Sequence, residues 1–344
     1  MKKLLVICSL LGLVTIASCK KEIIDTISQF IGFERPEHFP EPAYHFDTNP
    51  VTEDGFELGR RLFYEPRLSR NNTVSCGSCH IQASAFTHHG HDVSHGIDDR
   101  LGRRNAPPIM NLAWHTSFNL DGGVFDLDLQ PIVPITTHEE MDETMENVLR
   151  KLREHPDYPA LFRKAFGSEE ITSARLLKAL SQFQLMCISS NAKYDSVMRR
   201  QAQFTEVEQA GYIVFQNKCA TCHKEPLFTD FSFRNNGIGI GFNNDSGRYE
   251  ITLNEDDLYK FKVASLRNLK YTAPYMHDGR YYTLDAVLDR YAQAKPYIQN
   301  IDPVFDKGDG TYGINLSAEE RTQLKAFLNT LNDEHFVRNK LLSE

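Results

Sequence analysis

Apolar residues recur at intervals of three and four along much of the chain, the spacing of helices that bury one face. Such runs occupy residues 56–63, 141–152, 171–188 and 324–331. Two capping boxes, Thr205-x-x-Glu208 and Ser317-x-x-Glu320, predict the starts of further helices. Strand-like alternation is scarce. The pattern therefore predicts a mainly α fold with long connecting loops.

The N-terminus has the pattern of an export signal. Lys2 and Lys3 precede an apolar run over residues 4–16 that ends in small residues. Ile16-Ala17-Ser18-Cys19 resembles the lipobox of bacterial lipoproteins, in which the cysteine is lipidated. A plain signal peptide with an incidental Cys19 is the alternative. We expect a signal peptide over residues 1–18, a lipid-anchored tether over 19–50, and a protein exported to the bacterial outer membrane, facing the periplasm.

The rest of the chain consists of two similar halves. Each half has a helix-like segment, then a C-x-x-C-H motif, then a loop region rich in Gly and Asn. The motifs are Cys76-Gly77-Ser78-Cys79-His80 and Cys219-Ala220-Thr221-Cys222-His223. The repeat predicts two cytochrome c-like domains, residues 51–190 and 191–344.

C-x-x-C-H is the attachment motif of c-type haem. Both thiols form thioethers with the porphyrin, and the adjacent His becomes an axial ligand of the iron. A zinc site is the first alternative, but zinc-binding pairs usually lie closer together in sequence. A redox dithiol is the second, but it does not need the His. We therefore predict two covalent haems, with His80 and His223 as iron ligands.

Composition narrows the possible partners. The formal net charge is −8 and no basic stripe is present, which argues against a nucleic-acid partner. No internal apolar run is long enough to span a membrane, so membrane contact is expected through the lipid anchor only. Cys187 lies in an apolar helical run and is predicted to be a small buried residue.

The loops around the motifs resemble the bacterial di-haem cytochrome c peroxidase family, which includes the methylamine-utilisation di-haem enzyme. The resemblance extends over about residues 52–331 and depends on an ordered set of short segments. These are Leu62-Phe63-Tyr64-Glu65-Pro66-Arg67-Leu68-Ser69, Arg104-Asn105-Ala106-Pro107, Gln130-Pro131-Ile132-Val133-Pro134, Glu140-Met141, Leu266-Arg267-Asn268 and Thr272-Ala273-Pro274-Tyr275-Met276-His277-Asp278-Gly279.

The resemblance implies that the N-terminal haem binds peroxide, with Gln130, Pro134 and Glu140 lining its distal pocket. The residue types suit this chemistry, because a carboxylate can move the peroxide proton and an amide can orient the peroxide. Without the resemblance, Glu139 and Glu140 would be interpreted as the solvated start of a helix.

The resemblance also implies a calcium ion between the haems, held by the Asn105 side chain and the carbonyls of Thr272 and Pro274. Oxygen ligands suit this hard cation. A structural role in two Pro-containing turns is the alternative. In some family members a His after the first motif caps the resting peroxide haem, and a solvated loop is the alternative for most of the four candidates, His88, His89, His91 and His95.

Two positions depart from the family pattern. The family usually has a Trp before Asp-Gly that is thought to relay electrons, whereas here Leu120 stands at that position and the only Trp is Trp114. Fourteen residues after His277, where the peroxidase branch has a Met ligand for the second iron, stands Tyr291, as in the methylamine-utilisation branch. Tyr291 is predicted to ligate the second iron. The alternatives are that Tyr291 only packs on its helix, and that Met276 or no residue ligates.

The predicted function is reduction of hydrogen peroxide to water with electrons from a cytochrome c or similar one-electron donor. One alternative is an oxidase that acts on a protein or organic substrate through a high-valent state, which Tyr291 and Leu120 favour. The other is a pure electron carrier, which has no use for a distal acid–base group such as Glu140.

Overall fold

The computed structural model describes residues 30–239, 244–293 and 295–344. The predicted signal peptide (1–18) and the lipidation site, Cys19, lie outside these residues. None of the helices within the described ranges has the length and apolar character that crossing a membrane requires.

The described residues form mostly short helices joined by long loops. The α-helices are α1 Glu53–Phe63, α2 Cys76–Cys79, α3 Ile132–Thr136, α4 Met145–Glu154, α5 Tyr158–Phe166, α6 Ser173–Leu185, α7 Lys193–Met198, α8 Glu206–Lys218, α9 Tyr249–Thr252, α10 Leu284–Ala292, α11 Ala318–Asn329 and α12 Glu334–Arg338. Two strands, β1 Phe233–Arg234 and β2 Phe261–Lys262, pair antiparallel with Phe233 opposite Lys262. The prediction of a mainly α fold is confirmed.

The first hydrophobic core is built on the contact between α1 and α6. Thr52 caps α1 by accepting a hydrogen bond from the Gly55 backbone N–H at 3.1 Å. The two helices approach so closely that a Cβ at Gly59 would overlap with the carbonyl oxygen of Ala179. Glycine is therefore required at the crossing point.

The second core is built in the same way, on the contact between α8 and α11. Both predicted capping boxes are present, at Thr205 and at Ser317. A Cβ at Gly211 would overlap with the carbonyl oxygen of Gln323. In each half, the helix that precedes the C-x-x-C-H motif is thus locked by a glycine against a second helix.

The end of the chain returns to the first core. Phe336, Val337 and Leu342 are buried there beside residues of α1 and α6. The range 191–344, which the sequence predicts as one domain, therefore contributes to both cores. The physical reason is that α12 and the turn after it present apolar side chains that the second core does not cover.

The predicted tether over residues 19–50 needs a correction. From Phe33 onward this segment packs on the folded body, because Phe33 and Phe39 lie against the Trp114 ring with centroids 5.9 and 5.0 Å away. The Trp114 indole N–H donates to the Pro40 carbonyl at 2.8 Å. The sequence predicts a polar tether for this segment, but the aromatic side chains of Phe33 and Phe39 pack it against the rest of the protein.

A buried ion pair connects this N-terminal segment to the second half. The Arg267 guanidinium donates to both Asp195 oxygens, at 2.7 and 2.9 Å, and both side chains are fully buried. His38 lies 2.7 Å from the same carboxylate. Burial alone would raise the pKa of Asp195, but the hydrogen bonds from Arg267 and His38 outweigh it and lower the pKa to about 2.

We expect Asp195→Asn to lower the free energy of unfolding of the haem-loaded protein by about 3–5 kcal/mol, because it leaves the Arg267 charge buried and uncompensated. The matched control is Asp285→Asn, whose exposed ion pair with Lys325 is worth less than about 1 kcal/mol. Denaturant unfolding followed by circular dichroism measures both. Equal effects of the two variants would contradict the assigned role.

The lowered pKa of Asp195 also determines how the free energy of unfolding depends on pH. The stability that Asp195 contributes is present above the unfolded-state pKa, about 3.9, and is lost as the pH falls towards 2.

Candidate active site

The first C-x-x-C-H motif forms a single helical turn, α2, whose two thiols are not joined in a disulfide. The turn places His80 directly after it, with the His80 backbone N–H donating to the Cys76 carbonyl at 2.9 Å. The His80 Nδ1 lies 2.8 Å from the Phe86 carbonyl oxygen. Burial lowers the pKa of His80, which keeps the ring neutral. Donation from Nδ1 to the carbonyl leaves the lone pair on Nε2 for a metal.

The second motif has the same local geometry. The His223 backbone N–H donates to the Cys219 carbonyl at 3.0 Å. The His223 Nδ1 lies 3.0 Å from the Ala264 carbonyl oxygen and 3.2 Å from that of Phe228. Two free thiols followed by a neutral imidazole with a fixed tautomer are the donor set that haem c requires. The residues of both motifs therefore fit the cofactor.

Two of the three predicted peroxide-pocket residues are brought together directly. The Met141 backbone N–H donates to the Pro134 carbonyl at 3.2 Å, so the segment carrying Glu140 lies against the C-terminal part of α3. Gln130 stands one helical turn before Pro134, and its Nε2 donates to the Asn119 side chain at 3.3 Å.

Glu140 lies close to the first motif. Its carboxylate raises the pKa of the Cys79 thiol, second to the effect of burial. Burial, and then the charge of Glu139, raise the pKa of Glu140 itself. Glu139 is exposed. The interpretation of the two residues as a solvated helix start does not hold, because they lie in a turn before α4 begins at Met145.

The backbone on both sides of Glu140 is held in place. The Ile97 N–H donates to the Glu140 carbonyl at 2.8 Å, and a Cβ at Gly96 would overlap with the same carbonyl. The adjacent His95 carbonyl accepts from the Cys79 thiol at 3.5 Å. Residues 95–97 therefore connect the cysteine turn to the carboxylate.

Three of the four loop histidines form a cluster. The His91 ring lies 4.2 Å from that of His88 and 4.3 Å from that of His95, whereas His89 is exposed. Burial lowers the pKa of His88 to about 4, with the neighbouring imidazoles adding to the effect. Among the described residues, no group of three or more His, Cys, Asp or Glu is arranged to hold a metal ion. Which histidine, if any, caps the first haem stays a prediction.

The predicted calcium ligands come from two loops that are in contact. The Asn105 backbone N–H donates to the His277 carbonyl at 2.7 Å, which joins it to the turn that carries Thr272 and Pro274. The Asn105 side-chain amide donates to the carbonyls of His91 and Asp92 at 3.1 and 3.0 Å. Its remaining oxygen is the atom that suits a hard cation.

Tyr291 lies beside the second motif. Burial raises the pKa of its hydroxyl, and the side chains of Cys219 and Cys222 are near enough to add to the effect. Its hydroxyl is 3.4 Å from the side-chain nitrogen of Asn236, and the same nitrogen is 3.6 Å from the Met276 sulfur. Sequence reasoning missed Asn236, because Asn235-Asn236-Gly237 has the composition of any loop. Both candidate iron ligands thus meet at one amide.

Leu120, which stands where the family usually has a Trp, contacts the second half of the chain through its backbone. The Leu120 carbonyl accepts from the Lys262 N–H in β2 at 2.8 Å. The neighbouring Phe261 ring stacks on His277, with centroids 3.9 Å apart. Trp114 is elsewhere, buried under the N-terminal segment. No indole therefore stands at the usual relay position.

These features define a class of protein: a mainly α chain with two c-type haem attachment turns and a half-buried carboxyl group beside one of them. The family model for the di-haem cytochrome c peroxidases matches residues 53–203. The chain belongs to the di-haem cytochrome c peroxidase family. The predicted family is therefore confirmed, and two haem c groups follow from it.

Relatives come from both branches of this family. The chain is 36% identical to the methylamine utilization protein MauG of Methylorubrum extorquens, over 88% of this chain and 84% of the relative. It is 31% identical to the cytochrome c551 peroxidase of Nitrosomonas europaea, over 83% and 82% of the two chains. The relatives therefore fit both the predicted peroxidase and the first alternative, the oxidase.

Solved structures show the same fold. A MauG-like protein associated with microbial copper homeostasis superimposes with a TM-score of 0.81 at 33% identity, over 91% of this chain and 98% of that one. The diheme peroxidase BthA from Burkholderia thailandensis superimposes with a TM-score of 0.72 at 21% identity, over 84% and 88% of the two chains. The second likeness concerns the fold alone.

We expect two haems per chain that stay bound after denaturation, because thioethers do not dissociate. The Cys76→Ala/Cys79→Ala variant should lose half of the covalent haem. Cys187→Ala, which removes a buried thiol outside both motifs, should lose none. Haem staining of a denaturing gel and iron quantitation measure this, in a host competent in cytochrome maturation. An unchanged haem content in the double variant would refute attachment at the first motif.

Proposed function

We propose that the protein reduces hydrogen peroxide to water at the N-terminal haem, with electrons that arrive singly from a cytochrome c or similar donor. The observation that carries the proposal is the half-buried carboxyl group of Glu140 beside the first cysteine pair. A raised pKa makes the carboxylate a better proton acceptor than an ordinary Glu side chain, and the carboxyl group so formed can return the proton. A pure electron carrier has no use for such a group.

Glu140, Gln130 and Pro134 have different roles in the proposed reaction. When bound, haem iron supplies the electrons that cleave the peroxide bond. Glu140 takes the proton from the inner peroxide oxygen and returns it to the leaving oxygen, which departs as water. The Gln130 amide orients the peroxide by hydrogen bonding. Pro134, whose carbonyl accepts from the Met141 N–H, holds the Glu140 segment in place.

We expect Glu140→Gln to lower the rate of peroxide reduction about 10²- to 10⁴-fold with haem content unchanged, because it keeps the shape and removes the proton carrier. Glu139→Gln, at the exposed neighbour, is the matched control and should keep more than about half the rate. Peroxide turnover with reduced cytochrome c measures both. A large loss in the control with none at Glu140 would assign the role to Glu139.

The raised pKa of Glu140 also predicts how kcat/KM for peroxide reduction depends on pH. The raised pKa of Glu140 places the acidic limb of kcat/KM above about 4.3, the ordinary value for Glu, because the carboxylate form is needed to accept the first proton. The limb should vanish in Glu140→Gln. An identical limb in the variant would show that another group titrates.

A second candidate function is oxidation of a protein or organic substrate at the expense of peroxide. The observation that favours it is Tyr291 beside the second motif, together with Leu120 at the usual Trp position. A phenolate is a hard donor that favours ferric iron and makes the second haem a poor acceptor of electrons. The relative named methylamine utilization protein MauG adds support.

We expect Tyr291→Met to raise the reduction potential of the second haem, because thioether sulfur stabilises ferrous iron. Under the peroxidase proposal, turnover with reduced cytochrome c should then rise. Under the oxidase alternative, peroxide-dependent oxidation of an aromatic substrate should fall. Potentiometric titration and the two assays, with Tyr291→Phe as the variant without a ligand atom, separate these outcomes. An unchanged potential in both variants would make Tyr291 a packing residue.

We further propose that calcium binds between Asn105 and the carbonyls of Thr272 and Pro274, and that the protein is exported and anchored by lipid on Cys19. The contact between Asn105 and the His277 loop supports the first proposal. The lipobox-like segment supports the second. Elemental analysis of the purified protein tests the calcium site, and incorporation of labelled fatty acid by wild type but not Cys19→Ala tests the anchor.

A further inference from the structure

Asn236 is the point at which two different donor atoms meet. Its side-chain nitrogen lies 3.4 Å from the Tyr291 hydroxyl oxygen and 3.6 Å from the Met276 sulfur. The contact with oxygen is long for a hydrogen bond, and the contact with the larger sulfur atom has an ordinary length, so the amide is not committed to the phenol alone. One amide therefore holds a phenol and a thioether side by side, next to the second haem turn.

The orientation of this amide is fixed by the loop around it. The Asn236 side-chain oxygen accepts from the Ile238 N–H at 3.2 Å, which directs the nitrogen towards Tyr291 and Met276. The preceding Asn235 is fully buried, donates to the Gln299 carbonyl at 2.9 Å and accepts from the Gly237 N–H at 2.8 Å. The position of the amide is thus built into the loop.

Met276 is held in an unfavourable backbone conformation. Its φ is +76°, in the left-handed region that residues with a side chain rarely adopt. The turn that imposes this value is closed by a hydrogen bond from the Tyr275 N–H to the Tyr281 carbonyl at 2.7 Å. Strain of this kind concentrates at functional sites, and nothing in the packing of the second core requires a methionine in this turn.

We propose that Met276 is an alternative ligand of the second haem iron, which replaces Tyr291 when that iron is reduced. A phenolate is a hard anionic donor suited to ferric iron, and a thioether is a soft neutral donor suited to ferrous iron. One electron from the one-electron donor reduces the iron, the iron–oxygen bond breaks, and an iron–sulfur bond forms. The released phenolate takes one proton from water, and oxidation reverses each step.

Asn236 acts as a positioning residue in this exchange. When Tyr291 ligates the iron, the Asn236 nitrogen donates to the Tyr291 oxygen. When Met276 ligates instead, the same nitrogen keeps the released Tyr291 side chain close to the iron. The exchange would let the haem resist reduction at first and then keep the electron once it has arrived. The inference goes beyond the proposed function, since it concerns the ligands of the second haem and not the substrate of the first.

The test compares the haem-loaded wild type with Met276→Leu, Tyr291→Phe and the double variant by spectroscopy. Met276→Leu keeps the side-chain volume and removes the sulfur. The ferric spectrum of this variant should match the wild type. Its dithionite-reduced form should lose the low-spin signal of the second haem, and carbon monoxide bound per chain should about double. The ferric Tyr291→Phe protein should gain the sulfur-to-iron charge-transfer band, which the double variant should lack.

Several outcomes would overturn the proposal. An unchanged reduced spectrum and carbon monoxide uptake in Met276→Leu would show that sulfur does not ligate. Absence of the charge-transfer band in Tyr291→Phe would show the same from the ferric side. Haem content and circular dichroism establish that each variant is folded. Because no measurement here needs peroxide turnover, failure of this proposal is distinct from failure of the proposed function.

A substitution at Asn236 tests the positioning role. Asn236→Leu keeps the approximate shape and removes both the donating nitrogen and the oxygen that accepts from the Ile238 N–H. The ferric protein should then become a mixture of phenolate-bound and thioether-bound forms, and adding Met276→Leu should abolish the thioether component. A ferric spectrum identical to that of wild type would remove Asn236 from the proposal.

Discussion

The whole molecule depends on one local constraint: two thiols and an imidazole must be presented within a single turn. Each turn is completed by a backbone carbonyl that fixes the tautomer of the histidine, Phe86 for His80 and Ala264 for His223. The helix that precedes each turn is held in a fixed position in its core. Each half achieves this by locking that helix against a second one at a glycine. The requirements of the cofactor thus reach back into the packing of the core.

The two halves share the pair of packed helices and the C-x-x-C-H turn, and they differ in the side chains that lie beside that turn. Beside the first motif lies a carboxyl whose charge is disfavoured by burial, which suits proton transfer. Beside the second lie a phenol and a thioether, which suit control of the iron's redox state. The difference fits the proposal that peroxide reacts at the first haem and that ligand chemistry controls the redox state of the second. The relatives, which include MauG and cytochrome c peroxidases, show that the family uses this frame for more than one activity.

The two halves do not behave as independent bodies. His38 lies 2.7 Å from the carboxylate of Asp195, which forms a fully buried ion pair with Arg267 in the second half. The N-terminal segment that carries His38 also packs on Trp114 of the first half. α12 leaves the second half and packs in the first core. Asn105 and Leu120 in the first half each hydrogen-bond to backbone of the second. Because buried charges and shared apolar surface are costly to separate, these contacts hold the two haem turns in a fixed relation.

The sequence by itself determined whatever is local in the chain. The helices at α1, α6, α8 and α11 follow from apolar spacing and capping residues, and the haem turns follow from C-x-x-C-H, whose spacing is dictated by the porphyrin. Only the tertiary structure decided what comes together from distant segments. It brought Asn236, Met276 and Tyr291 to one point, placed Glu140 beside Cys79, and packed Phe33 and Phe39 on Trp114. Such contacts depend on how loops cross in space, and a loop's composition does not encode its partner.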